Sequence, residues 1–212
     1  AAQIIYHWRK DNPSTLLATT PTYGYGDAPV TVSYPKGTPM KWDLMLDNYN
    51  GSRPAEYDEA VATFNAAVGA GTWLTYGSST AGQIKDLVNT FNSYFRMSSE
   101  CLYKWDSNQT DWETKIYNEL ANGRPIVYSG VHATSGGHAV VLDGYKASTN
   151  LYHFNFGWGG QGDGWYTVND ENGMNGFNES QGMVYKIQPK VRNIGVKIIR
   201  PGKFHLNRTT DI

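Results

Sequence analysis

The chain has 212 residues, 40% of them hydrophobic and 17% charged, with a net charge of −1. That is enough apolar mass for one well-cored domain, with or without a tail, and it excludes a disordered chain. Near-neutrality without a basic stretch removes the electrostatic basis for a nucleic-acid or anionic-membrane partner, and no apolar run reaches the length of a membrane span.

Residues 1–10, AAQIIYHWRK, carry Ile4, Ile5 and Trp8 at helical spacing, and Asp11-Asn12-Pro13 ends the run. No capping residue precedes Ala1 and the first turn holds no acid, so this helix reads as opening part-way through an element. The N-terminus is not a signal peptide, so a targeting segment, if the protein is exported, lies outside these residues. Residues 14–40 read as loops with a short strand over 29–34. Helices follow over 52–68, with Tyr57, Val61, Phe64 and Val68 on one face and Gly69 as stop, and over 80–95 with Ile84, Leu87, Val88 and Phe91 inward. A third helix over 110–122 starts on a Thr110–Glu113 capping box and buries Trp112, Ile116 and Leu120.

After Pro125 the character changes. Residues 125–130, 138–145, 151–157, 165–169 and 183–187 are short, β-branched or aromatic runs separated by Gly, Asn and Ser, the pattern of an antiparallel sheet. Helices first and strands second predict an α+β fold in two halves. Residues 189–212, with Lys and Arg among Val and Ile, read as an extension or the start of another module, which sets a boundary after 188.

Two of these strands carry candidate chemistry. Gly136-Gly137-His138 puts a histidine at the head of one, behind a glycine pair, and Asn155 lies on the next. A turn centred near Lys146–Ala147 makes His138 and Asn155 cross-strand neighbours, with Cβ atoms roughly 5 Å apart. The Asn amide then fixes the imidazole tautomer and leaves the other ring nitrogen for a nucleophile. Such a pair suits a cysteine, whose thiol is acidic enough to need only a neutral orienting amide. The glycine-rich run 157–164 lets backbone approach a substrate, and Trp158 can shield the pair from water.

GGHAVVLDGY at 136–145, followed by YHFNFGWGGQGDGWY at 152–166, resembles the histidine and asparagine strands of the streptopain family of papain-like cysteine peptidases. The resemblance extends to Ala2-Gln3-Ile4 with Tyr6-His7, to Trp42 with Met45 and Tyr49, and to Tyr76-Gly77-Ser78-Ser79 before a helix. It continues through Asp111-Trp112-Glu113 leading to Pro125 and through Gly176-Phe177-Asn178 with Gln181, and so covers about residues 1–188. It implies a papain-like fold, with a helical part, an antiparallel β-barrel-like part and a cleft between them. It also implies peptide-bond hydrolysis through a thioester, with His138 as base and then acid, Asn155 as its orienting residue, and Gly136, Gly137, Phe156, Trp158 and Gly159 along the substrate cleft. The implied partners are protein or peptide substrates, with a hydrophobic residue preferred two positions before the cut, and an inhibitory propeptide. The implied setting is secretion from a bacterium.

Two departures from the family pattern stand out. Its nucleophilic cysteine opens the first helix, a turn or so before Ala1, and its oxyanion-hole glutamine lies further upstream. The nucleophile is therefore expected on a segment preceding Ala1, and residues 1–212 alone are expected to be inactive. The family usually has Trp after the asparagine; Phe156 keeps a ring and loses the indole N–H.

Other histidines and the lone thiol read differently. His153 alternates onto the face of Asn155 and is expected to pack; His7 and His132 show no partner, and no HxxxH spacing suggests a metal or cofactor. Cys101 precedes His138 in the chain order a peptidase needs, yet Ser98–Lys104 reads as strand or loop, and the next helix starts too far downstream to stabilise a thiolate. Cys101 is therefore expected to lie away from His138. The run 157–164 is not followed by a helix or Lys-Ser/Thr, which argues against a phosphate loop. The alternatives are a glycan- or protein-binding domain using the exposed-looking aromatics, or a Cys–His acyl transferase or amidase on the same fold.

Overall fold

The apolar runs after Pro125 become strands of one sheet, and the helices before it pack on both of its faces. The computed structural model describes residues 1–25, 28–77, 80–106, 109–168 and 173–191. In chain order the elements are α1 (Ala2–His7), β1 (Tyr23–Tyr25), β2 (Ala28–Val32), α2 (Ala55–Gly71), α3 (Asp86–Phe95), β3 (Met97–Tyr103) and α4 (Gln109–Ala121). Then come β4 (Ile126–His132), β5 (Gly136–Lys146), β6 (Leu151–Asn155), β7 (Gly164–Tyr166) and β8 (Glu179–Pro189). The expected strand residue Asn169, the loop residues Ser78 and Ser79 and nearly all of the extension, 192–212, lie outside the described residues.

β1 and β2 form a small hairpin. The other strands make an antiparallel sheet in the order β3-β8-β4-β5-β6-β7. The helices-plus-antiparallel-sheet architecture is as expected, but the sheet stays open, with β3 and β7 as its edges, rather than closing into a barrel. Strand alternation divides its side chains between two cores. Val127, Val141, Val184 and Ile187 join Ile4, Ile5, Phe64, Phe91 and Phe95 on the face covered by α1–α3. Ile126, Tyr128, Val140, Leu142, Met183 and Tyr185 face the other way, onto Trp112 and Ile116 of α4 and the aromatics Tyr152, Phe154 and Phe156. Burial on both faces is why these strands read as continuous apolar runs rather than alternating ones.

The helix ends differ from the sequence pattern for packing reasons. α2 runs through Gly69 to Gly71 instead of stopping. These glycines let other rings close onto the helix: a Cβ at Gly71 would come within 2.9 Å of the Tyr94 ring, and one at Gly69 would overlap the Tyr76 hydroxyl. α3 begins at Asp86, because Ala81 is held instead by a bridge to Thr75. α4 begins at Gln109, one residue before the expected cap, so Thr110 belongs to the helix.

A buried acid ties α4 to β8. Glu119 is 4% exposed and takes both Nε and Nη2 of Arg124 at 2.8 Å. It also accepts the backbone N–H of Lys186 at 2.8 Å. Lys186 has φ +54, and the β3–β8 register shifts opposite it, so its amide has left the ladder and Glu119 replaces the lost acceptor. Glu119→Ala would leave a buried amide and a guanidinium unpaired. The expected loss is about 2–4 kcal/mol of unfolding free energy, read from urea denaturation at unchanged m-value.

Candidate active site

Gly136 (φ +80) starts β5 after the three-residue loop 133–135, and His138 follows two residues later, opposite Gly130 of β4. The expected pairing of His138 with Asn155 does not form. The β5–β6 turn occupies 147–150, so Lys146 faces Leu151, and a bulge at Asp143 shifts the register again. Asn155 therefore lies opposite Val141, three residues from the expected partner. An odd shift changes sheet face as well as position. Asn155 falls on the Val141 side, whereas His138 lies against rings of the second core, with its centroid 6.0 Å from Phe156 and 5.8 Å from Phe177.

The imidazole finds a backbone partner instead. His138 Nε2 lies 2.9 Å from the carbonyl oxygen of Phe156. A carbonyl can only accept, so Nε2 carries the proton and Nδ1 keeps its lone pair. The neighbouring side chains hold the Phe156 peptide in place. Its N–H donates to Asp163 Oδ1 at 2.7 Å, and Asn155 Oδ1 accepts the N–H of Gly157 at 2.9 Å. The Asn155 bond is an Asx turn, and Gly157 completes the bend with φ +75. Asn155 thus acts on the bend that aims the carbonyl, not on the ring. Asp163 escaped the sequence reading; its only signal was an acid between two glycines in the run 157–164.

Aromatic rings set the imidazole plane. Trp158 stacks on His138 at 4.6 Å and 29° while remaining 45% exposed, so one face of the ring is shielded at the surface. Phe156, expected along the cleft, has its ring buried at 1% exposure among Tyr166, Trp158 and Phe177. Only its carbonyl reaches the site. Beside His138 and Trp158 is a hollow of about 420 Å³, bounded by Gly137, Ser135 and His132 from the hairpin and by Asn175 and Phe177 from the loop before β8. Gly136 and Gly159 are exposed neighbours but do not bound it. His132, which showed no partner in sequence, does bound it; the β4–β5 register that brings it there could not be read from spacing alone. His153 pairs with Asp143 at 2.7 Å and packs on Trp165. Ala1 and Ala2 pack against the helical core.

Cys101 is remote from the imidazole. It faces Val184 of β8, which faces Val127 of β4, which faces Val141 of β5. Those three ladder steps span roughly 14 Å before the further offset along β5 to His138. The thiol is half-buried against the helical core, and that desolvation raises its pKa more than its bond to Tyr103 lowers it. Among the described residues, no cluster of three or more His, Cys, Asp or Glu could hold a metal ion, and no helix is long and apolar enough to cross a membrane.

The fold, together with an imidazole braced for one free nitrogen, defines the class as papain-like cysteine peptidases, and comparison with known proteins agrees. The model of the peptidase C10 family matches residues 1–166. The chain is 32% identical over 159 residues to streptopain from Streptococcus pyogenes serotype M1, covering 70% of this chain and 39% of streptopain, so it spans about two fifths of that relative's length. Among solved structures it resembles the active wild-type interpain A cysteine protease of Prevotella intermedia, with 28% identity, a TM-score of 0.77, and coverage of 86% of this chain and 78% of that one. A mutant fragment of Prevotella intermedia prointerpain A superposes with a TM-score of 0.74 at 25% identity, over 90% of this chain and 62% of the fragment. The chain belongs to the peptidase C10 family.

The environment of Cys101 predicts its reactivity. A thiol pKa above the ordinary value leaves less thiolate at neutral pH. Iodoacetamide should label Cys101 at pH 7.5 several-fold more slowly than free cysteine, with the rate still rising above pH 9; mass spectrometry follows it. A second expectation concerns Gly130, where a Cβ would overlap the Phe177 carbonyl. Gly130→Ala should push the 173–177 loop off β4 at a cost of about 1–3 kcal/mol, seen as a lower thermal midpoint.

Proposed function

We propose that this chain is most of the catalytic domain of a cysteine endopeptidase, spanning residues 1–188, with 189–212 as an extension. The observation that carries the reading is the Nε2–H of His138 on the Phe156 carbonyl at 2.9 Å, which leaves Nδ1 for a thiol. The family membership supports it. The distance from Cys101 to His138 supports a nucleophile supplied by a segment preceding Ala1, at the start of the helix that α1 continues. There the helix N-terminus favours thiolate.

In acylation the thiolate attacks the scissile carbonyl carbon. The C–N bond breaks as His138, protonated at Nδ1, hands that proton to the departing amine, and a thioester remains. In deacylation Nδ1 takes a proton from water as the oxygen attacks the thioester, and sulfur leaves as the thiolate, which restores the thiolate–imidazolium pair. Nε2–H stays on Phe156 O throughout, so the ring neither flips nor changes tautomer. Asn155 is a positioning residue that acts through the Asx turn. Gly137 and Trp158 face the substrate, and Gly136 and Gly159 give the flanking backbone its bends. No cofactor is required. The substrates are proteins or peptides, a reading supported by streptopain and interpain A. An inhibitory propeptide, supported by the pro-form relative prointerpain A, and secretion from a bacterium complete the reading.

The test is hydrolysis of a peptide with a hydrophobic residue two positions before the cut. The protein that includes the preceding segment should show thiol-dependent turnover, and residues 1–212 alone should show none. His138→Ala should lower kcat/KM by roughly 10³-fold or more. Asn155→Ala should cost only about tenfold, because the carbonyl remains. Full activity of residues 1–212 after alkylation of Cys101 would overturn the reading, since a group other than a thiol would then be doing the chemistry.

A further inference from the structure

The hollow beside His138 holds a second histidine that the mechanism does not use. His132 ends β4 opposite Gly136, and His138 faces Gly130, so the two are diagonal neighbours on one face of the hairpin, roughly 7–8 Å apart. Phe177 packs between them, with its centroid 5.4 Å from one imidazole and 5.8 Å from the other.

The tautomer of His132 is set by its own loop. The backbone N–H groups of Thr134 and Ser135 both donate to Nδ1 at 3.2 Å, and the Thr134 hydroxyl lies at the same distance. A nitrogen that accepts two amide hydrogens carries no proton, so the ring hydrogen is on Nε2. That Nε2–H has no partner among the described residues, and it is not a buried orphan. Its edge opens over Gly176, where a Cβ would stand 3.2 Å from Nε2 and where φ is +85. A side chain at 176 would crowd this donor; glycine leaves it free.

We infer that His132 is a specificity-determining residue that selects the substrate residue immediately after the cut, favouring a side chain with a short aliphatic stem ending in a carbonyl-type oxygen, as in glutamine or glutamate. This rests on the peptidase reading. In acylation the departing amine takes its proton from His138, so the residue carrying that amine lies against this imidazole. The acyl part is bonded to sulfur at the helix that α1 continues, and α1 packs in the core on the opposite face of the sheet. The hollow walled by His138 and Trp158 is thus on the leaving side. Trp158 and Phe177 give it an apolar wall for a methylene stem, and His132 presents a fixed donor at the rim. A donor set in advance rewards an oxygen acceptor and gives nothing to an isostere without one.

The experiment uses the protein with its preceding segment and three peptides that differ only after the cut: Gln, Glu or norleucine. kcat/KM is measured for wild type, His132→Asn and His132→Gln. Asparagine places an oxygen where Nδ1 was, keeping the loop acceptor but removing the Nε2–H; glutamine places an amide donor near Nε2. Wild type should prefer Gln and Glu over norleucine, and His132→Asn should shrink that ratio by roughly 3- to 10-fold, the range of one hydrogen bond. His132→Gln should restore most of it. Equal ratios in wild type and His132→Asn, with turnover intact, overturn the assignment of His132 and leave the peptidase reading standing. Absence of turnover of all three peptides by wild type overturns both.

Discussion

Phe156 is held at two ends at once, and the site depends on that. Its ring is locked among Tyr166, Trp158 and Phe177 in the second core, and its peptide is fixed by Asp163 on the nitrogen side and His138 on the oxygen side. A carbonyl on a loose loop would be a poor orienting group, since holding it still would cost conformational entropy each time the imidazole moved. Here the entropy has been spent in folding. The ring buries the chain just past the end of β6, Asn155 and Gly157 bend it, and the carbonyl is left facing the His138 imidazole.

That arrangement follows from a sheet buried on both faces. Cys101, Val184, Val127, Val141 and Asn155 form one row across five strands, and the helices cover the valines in it. His138 belongs to the opposite set, where Phe156 and Phe177 pack and the hollow opens. The same division packs the Cys101 thiol against the helical core and leaves His138 bounding the hollow. One faces a helical core that disfavours its thiolate; the other is at a strand head, where the rings of Phe156, Trp158 and Phe177 lie against it.

Much of this was legible in the sequence, with limits of a physical kind. The apolar runs 138–145 and 183–187 mark strands whatever their partners, because a run that must be dry on both faces has few alternatives. His138 behind two glycines and Trp158 within a glycine run carried the family pattern. Register was not legible. It depends on the number of residues in the 147–150 turn and on a one-residue bulge at Asp143, and neither leaves a periodic trace. The pairing of His138 with Asn155 failed for that reason alone. Gly69 misled in another way: a glycine after an apolar stripe reads as a stop, yet here it is a contact point for Tyr76 within a continuing helix.

The departure at Phe156 from the family's tryptophan now has a structural reading. An indole at this position would bring an N–H into surroundings 99% removed from solvent and dominated by other rings, where a donor costs free energy unless it finds an acceptor. Phenylalanine avoids that requirement while still filling the space against Tyr166 and Phe177. Nothing is lost at His138, because the atom that meets the imidazole belongs to the backbone, and every residue type supplies it. A site that recruits a carbonyl in place of a side chain can therefore vary the residue bearing that carbonyl, provided the ring still anchors it and Asn155, Gly157 and Asp163 still set its direction.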